Sequence, residues 1–381
     1  MFKSLFRKSP QTLMELGDSA FENEDFNQAL KYYLDVIELN KYFEGIYERL
    51  GDVYFQSKEL DKSIKSYTTA IRLDTQKSYE LYSKRGDCYQ AKRESINAIA
   101  DYDKAIQLHN YDWTISVKKG KCEFEIGYFE DALQDYLRAL EFDKDDSSLF
   151  ENIGDVYFKL NEPELAVNHF QESFKLAPEN LYLHDKIGDC FQAMNEFEKA
   201  IEEYNIILRI QKSESYLYDK IGDCYQSLGD FTQAIIFYKS AVQGSKDKVF
   251  IYDKIGTSYY KTGQYKQAAE EFTKSIQLSP NTFYLYSKLG RSYQKMKNFE
   301  PAVSNFSTAI KLNPSDSYSY NKRAESQHSL GHFDKAVIDY EATLNLLGIE
   351  YHKLLELTDE RDIRIIQNMQ DCIDLKVFRG E

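Results

Sequence analysis

A small residue returns along this chain with one-residue precision. Gly17, Gly51, Gly86, Gly120, Gly154, Gly188, Gly222, Gly256 and Gly290 are followed by Ala324. Each step is 34 residues except Gly51 to Gly86, which is 35, and the extra residue is expected in the loop around Asp74 to Ser78. A fixed period of this length means a supersecondary unit that buries its faces against copies of itself. It also accounts for the length, since 381 residues at 42% hydrophobic content exceed one core of ordinary size.

Three further positions keep the register. Three residues after the small one stands Tyr54, Tyr89, Tyr157, Phe191, Tyr225, Tyr259 or Tyr293. Twelve after it stands Ala29, Ala98, Ala132, Ala166, Ala200, Ala234, Ala268, Ala302 or Ala336. Sixteen after it stands Tyr33, Tyr67, Tyr102, Tyr136, Phe170, Tyr204, Tyr238, Phe272, Phe306 or Tyr340. Within one period, Tyr218, Ile221, Gly222 and Tyr225 trace a stripe at spacings of three and four, and Phe231, Ala234, Ile235 and Tyr238 trace a second. Leu228-Gly229-Asp230 between them reads as a turn. Each period is thus a first helix (A), a turn and a second helix (B). Gly222 and Ala234 lack bulk and let the helices approach, while Tyr225 and Tyr238 fill the space on either side.

With small, aromatic, small and aromatic residues at these offsets, the sequence resembles the tetratricopeptide repeat family. The resemblance covers residues 10–348 as ten repeats starting near 10, 44, 79, 113, 147, 181, 215, 249, 283 and 317. It implies an all-α fold, a right-handed α-solenoid (superhelix) of ten helix-turn-helix units. Residues 1–9 read as a basic N-terminal extension and residues 349–381 as a capping helix and tail. In the latter, Asp359 is expected to cap a helix carrying Ile363, Ile366, Met369 and Ile373 at helical spacing. Two repeats depart from the pattern. Repeat 4 has Ser116, Lys119 and Glu123 at positions that are apolar or aromatic in its neighbours, so its packing is expected to be loose or covered by something else. Repeat 10 has Ala324 for glycine and Gln327 for tyrosine, as expected near an end.

Charge and composition exclude several functions. A formal net charge of −14 would repel nucleic acid. No run of eighteen apolar residues predicts a transmembrane helix. Phe2, Leu5 and Phe6 are too few for a signal-peptide core. With Lys3, Arg7 and Lys8 they make a segment too short for a stable interfacial helix, so it is read as folding over repeat 1 and no membrane contact is expected. The five cysteines do not form a disulfide framework, and a cytoplasmic location with reduced thiols follows as the default. Cys88, Cys122, Cys190 and Cys224 all lie two residues after the small residue, where other repeats have Ser19, Val53, Val156, Ser258, Ser292 or Ser326. That position calls for a small buried side chain, and cysteine behaves as one. His328 and His332 lack the companion glutamate of a zinc hydrolase, and His332 falls in a turn. No phosphate loop or nucleophile elbow occurs, and the repeats leave no residues for a catalytic domain. No enzyme activity, metal or cofactor is expected.

Function is then expected on a surface, and the A helices offer one. In the family resembled, these helices line the concave groove where ligands lie. Acids recur there, one stripe away from the packing residues: Glu151 and Asp155 in repeat 5, Asp185 and Asp189 in repeat 6, Asp219 and Asp223 in repeat 7, Asp253 in repeat 8. Tyr182, Tyr216, Phe250 and Tyr284 add aromatic edges one turn earlier, and Gln192, Gln226 and Gln294 add amides. Like charges four apart cost about 0.2–0.5 kcal/mol each, so the stripe needs a partner or internal compensation. One reading is a protein or peptide ligand of basic or amide-rich character. The other is a self-paired face, with Lys186 and Lys220 bonding Asp189 and Asp223 within one helix. A related subset of the family clamps chaperone carboxylates with cations, but the corresponding positions are Met14/Asp18, Asp185/Asp189 and Asp219/Asp223, which would repel a carboxylate. The expected function is a non-catalytic scaffold or adaptor holding a partner in the groove. A structural assembly subunit packing through its convex face or ends, and a regulatory subunit of an enzyme or a co-chaperone without a carboxylate clamp, are the alternatives.

Overall fold

Three residues separate each A helix from the B helix that follows it, and their geometry is the same at every turn. The computed structural model describes residues 8–74, 78–109, 112–211, 214–349 and 360–379. At the turns, the backbone of Glu24, Lys58, Arg93, Gly127, Asn161, Asn195, Gly229, Gly263, Lys297 and Gly331 has positive φ. The next amide reaches back to the last turn of the A helix, as in Asp25 N–H to Ala20 C=O at 2.9 Å and Asp230 N–H to Tyr225 C=O at 2.9 Å. This left-handed residue closes the A helix and satisfies its free carbonyls. The B helix then starts from an aspartate where one is available. Asp25 and Asp230 accept from the amides of Gln28 and Gln233 at 3.0 Å.

The described residues form only helices, in two compact units divided between Cys190 and Phe191. In the first unit the A helices are Pro10–Glu22, Ile46–Gln56, Tyr79–Ala91, Trp113–Glu125 and Ser147–Lys159. They pack on the B helices Phe26–Leu39, Leu60–Leu73, Ser95–Leu108, Phe129–Phe142 and Pro163–Leu176. The dividing point lies in the helix Tyr182–Ala193. The second unit holds the helix Phe197–Ile210, then the A helices Ser215–Ser227, Lys248–Lys261, Phe283–Lys295 and Ser317–Ser329. Their partners are the B helices Phe231–Ala241, Tyr265–Leu278, Phe299–Leu312 and Phe333–Leu347, and the helix Glu360–Arg379 follows.

The recurrent small residue faces the aromatic ring sixteen positions on. A Cβ added at Gly51 would sit 2.4 Å from Tyr67 Cε1, and one at Gly256 would sit 2.7 Å from Phe272 Cε1. All ten rings of this series are buried. The position two after the small residue is buried too, at Val53, Cys88, Cys122, Val156, Cys190, Cys224, Ser258, Ser292 and Ser326. Ser19, at the same position in the first repeat, is exposed. The cysteines therefore pack as small hydrophobes, and burial pushes the Cys88 thiol up to about 11.

The departures resolve physically. In repeat 4, Ser116 is buried and the apolar contact is replaced by a cluster of charges. Lys119 Nζ lies 3.0 Å from Asp103, 3.2 Å from Glu123 and 2.9 Å from Asp135, and the side chains of Glu123 and Asp135 are each 4% exposed. Repeats 3 and 10 use a related exchange that the sequence reading passed over. Arg85 and Arg323 stand where other repeats have Leu50, Ile153, Ile187, Ile221, Ile255 or Leu289. Each makes a bidentate pair with an aspartate sixteen residues on, Arg85 with Asp101 and Arg323 with Asp339, at 2.6–2.7 Å.

Burial pushes the Glu123 carboxyl up to about 7, with Lys119 opposing and Asp135 adding. The unfolded carboxyl titrates near ~4.3, so the folded state binds the extra proton between these values. The contribution to stability is therefore largest at low pH and is lost as pH rises through about 7. Glu123→Gln is expected to raise the melting temperature by roughly 2–4 °C at pH 8 and to change it little at pH 5. A fall at pH 8 in thermal melts would show that the ionised cluster stabilises the fold.

At the C-terminal end, Ile365, Ile366, Met369 and Cys372 of the helix Glu360–Arg379 pack on Phe333, Tyr340 and Leu344 of repeat 10. This corrects the expected register. Ile366 and Met369 face inward as predicted and Ile373 is partly buried, but Ile365 takes the place expected of Ile363. Asp359, the extra residue between Asp74 and Ser78, and most of the N-terminal extension lie outside the described residues. Where the described chain begins, Ser9 accepts from Thr12 N–H at 3.1 Å and caps the first helix.

Candidate partner-binding face

The acids predicted on the A helices are brought together with lysines, though not the lysines of their own helix. In the first unit Lys186 reaches back one repeat and bonds Glu151 at 2.9 Å and Asp155 at 2.6 Å. In the second unit Lys254 bonds Asp219 and Asp223, both at 2.8 Å, and Lys288 bonds Asp253 at 2.7 Å. The arrangement extends to repeats 1–4, where Arg49 bonds Asp18, Lys84 bonds Glu48 and Asp52, and Lys118 bonds Asp87. In each rung, a cation two residues before the small residue meets carboxylates of the preceding repeat. For Lys186 and for Asp223, the pairing runs across the repeat boundary rather than three residues along one helix.

Four of the rungs have a second layer. The aspartate one residue after the small residue accepts from the buried tyrosine of its own repeat: Tyr33 to Asp18, Tyr67 to Asp52, Tyr102 to Asp87 and Tyr238 to Asp223, at 2.7–2.8 Å. Gln226 accepts from the same Tyr238 hydroxyl at 3.3 Å, and Gln192 accepts from Tyr204 at 3.1 Å. The lysines lie over rings as well. Lys186 is 5.3 Å from Tyr182, Lys220 is 5.6 Å from Tyr216, and Lys288 is 5.5 Å from Tyr284. Of the remaining predicted residues, Asp185 is buried and Asp189 half-buried. Tyr182, Tyr216 and Phe250 stay 41–56% exposed. Gln294 turns toward Glu325 at 3.1 Å.

Burial raises the Asp219 carboxyl while Lys254 opposes the shift. Burial also pulls the Lys254 ammonium down, but the bonds to Asp219 and Asp223 outweigh it and the net shift is upward. Two carboxylates and one ammonium leave the rung of repeats 7 and 8 with one negative charge, held in fixed geometry. The sequence signal for these rungs is the spacing of 31 and 35 residues between lysine and acid, which is one period less three or plus one.

Family models cover most of the chain. One described as tetratricopeptide repeat matches residues 14–78, and a second of the same description matches 79–110, 147–180, 215–243 and 283–316. One described as TPR repeat matches 120–161 and 256–297. The chain belongs to the tetratricopeptide repeat family. Among solved structures, MamA is 24% identical, covering 45% of this chain and 94% of its own, with a TM-score of 0.42. A tetratricopeptide repeat protein from Parabacteroides merdae is 18% identical over 65% of this chain and 98% of its own, with a TM-score of 0.49. YrrB, described as a TPR protein with an unusual peptide-binding site, is 18% identical over 48% of this chain and 95% of its own, at 0.42. No curated protein matches the chain. In this tetratricopeptide repeat chain no described helix is long and apolar enough to cross a membrane.

Proposed function

We propose that the chain is a non-catalytic, cytoplasmic adaptor that holds a partner polypeptide against its A helices. The observation that supports this reading is the combination of preorganised polar rungs with exposed rings beside them, above all Phe250, which is 55% exposed on the A helix of repeat 8. An apolar ring held in water next to fixed charges suits a contact made by another chain. The residual negative charge of the rungs that set two carboxylates against one lysine, Glu151 and Asp155 with Lys186 and Asp219 and Asp223 with Lys254, favours a basic or amide-bearing segment. The residues proposed for contact are Tyr182, Asp185 and Asp189 in the first unit, and Gln192, Tyr216, Asp219, Asp223, Gln226, Phe250, Asp253 and Tyr284 in the second, with Glu151 and Asp155 anchoring Lys186.

Reversing Asp223 would break a rung and disturb stacking, so loss of binding would be ambiguous. Phe250→Ala removes exposed surface only. Affinity capture from native lysate is expected to retain a polypeptide at low salt, to lose most of it at high salt, and to lose at least tenfold with Phe250→Ala at unchanged melting temperature. Equal capture by the variant would exclude this face.

A further inference from the structure

Cations on the A helices are matched by acids along most of the chain, but the C-terminal end of the second unit breaks this rule. A cavity of about 720 Å³ opens there between the A helices of repeats 8, 9 and 10 and the helix Glu360–Arg379. Arg291, Lys295 and Arg364 line it, and none of the three makes an ion pair among the described residues. Glu325, the one carboxylate on the described wall, is already engaged by Lys322 at 2.7 Å and by the Gln294 amide at 3.1 Å. Among the described residues, three positive charges therefore face one cavity without a counter-charge, in a chain whose net charge is −14.

The Arg291 guanidinium is held for use. It lies 4.6 Å from the Tyr260 ring and 5.8 Å from the Tyr318 ring. Stacking on aromatic faces fixes the plane of the fork and leaves its N–H edge for an acceptor. Three buried polar atoms of the same lining have no hydrogen-bond partner among the described residues: the Tyr260 and Tyr340 hydroxyls, which can donate to an anion, and the Asn321 amide oxygen, which cannot. Buried polar groups are rarely left unmade, and where they are, an absent ion or ligand is a common cause. A hydroxyl donor, a fixed guanidinium and two further cations on different walls together suit an oxyanion of more than one charge.

We infer that this cavity is a binding site for a ligand bearing phosphoryl groups or closely spaced carboxylates. The helix after the last repeat supplies one wall through Arg364, so the site does not arise from the repeat pattern alone. It is also independent of the Phe250 face, and loss of partner capture by Phe250→Ala would leave it untouched.

Calorimetric titration of the full chain at low salt tests it in two arms, sodium pyrophosphate and a blocked hexaglutamate peptide. Saturable binding of either is expected, weakened tenfold or more by Arg364→Gln and by Arg291→Gln. Tighter pyrophosphate binding identifies a phosphoryl ligand, and tighter peptide binding identifies carboxylate side chains of a polypeptide. Arg364 is exposed, so its substitution preserves the fold, which a thermal melt verifies. Absence of heat in both arms, or equal binding by both variants, overturns the site.

Discussion

Gly51→Val is expected to cost the first unit roughly 3 kcal/mol, the upper part of the range for overpacking a core. Added Cβ at this position meets three atoms of the Tyr67 ring at 2.4, 2.6 and 2.7 Å. The ring has little freedom to retreat. Its hydroxyl is bonded to Asp52 at 2.7 Å, and Asp52 in turn holds Lys84 of the next repeat at 2.9 Å. Displacing the ring therefore strains a rung as well as a hairpin. Alanine is the informative comparison. Ala324 occupies the equivalent place in repeat 10 opposite buried Tyr340, so one methyl can be housed when the ring shifts, and glycine to alanine gains ~1 kcal/mol of helix propensity. Gly51→Ala should cost clearly less than Gly51→Val. Urea unfolding followed by circular dichroism, with hydrogen exchange to locate the loss in repeat 2, measures both. Equal, small losses would mean that the hairpin does not depend on this approach.

The second large effect concerns the buried charges of repeat 3. Asp101→Ala strands the Arg85 guanidinium, whose side chain is 17% exposed, and breaking such a pair typically costs about 3–5 kcal/mol. The double variant Arg85→Leu/Asp101→Ser reproduces the Leu50 and Ser66 that repeat 2 carries at the same places. It is expected to lie within about 1 kcal/mol of the parent, because apolar replacement of a buried pair is often neutral. A double-mutant cycle in urea gives the coupling directly. If the double variant is as unstable as Asp101→Ala alone, the pair supplies something packing cannot.

How far the sequence discloses these features depends on the distance over which residues interact. The hairpin was legible because Gly222 and Tyr238 recur at fixed offsets, and recurrence averages over the accidents of any one copy. The acids were legible for the same reason. The direction of the lysines was not, because reading along one helix offers only neighbours three and four apart, whereas Lys254 finds Asp219 and Asp223 at 35 and 31. The exchange of Leu50 for Arg85 was hidden by being compensated sixteen residues away at Asp101. In the last helix, apolar residues at Ile363, Ile365 and Ile366 allow more than one inward face, and only packing on Tyr340 and Leu344 selects among them. The basic cavity needs Arg291 and Arg364 to meet, which no periodicity announces.

The uniform turns carry a consequence for chain length. Every A helix ends three residues before its B helix begins, from Glu22 and Phe26 to Ser329 and Phe333, and each turn contains a left-handed residue bonded in the same pattern. The connections from B to the next A vary instead, from the four residues between Phe142 and Ser147 to the six between Ala241 and Lys248. The chain thus has two kinds of joint. The turn inside a hairpin has a closed geometry that admits no added residue without reopening a helix end. The joint between hairpins varies in length and in its backbone bonds, is bridged by side-chain rungs as well, and absorbs additions. The single 35-residue step falls at a joint of this second kind, between Leu73 and Tyr79. A foreign peptide spliced into this protein belongs there, where the repeats on either side remain stapled to each other by Lys84.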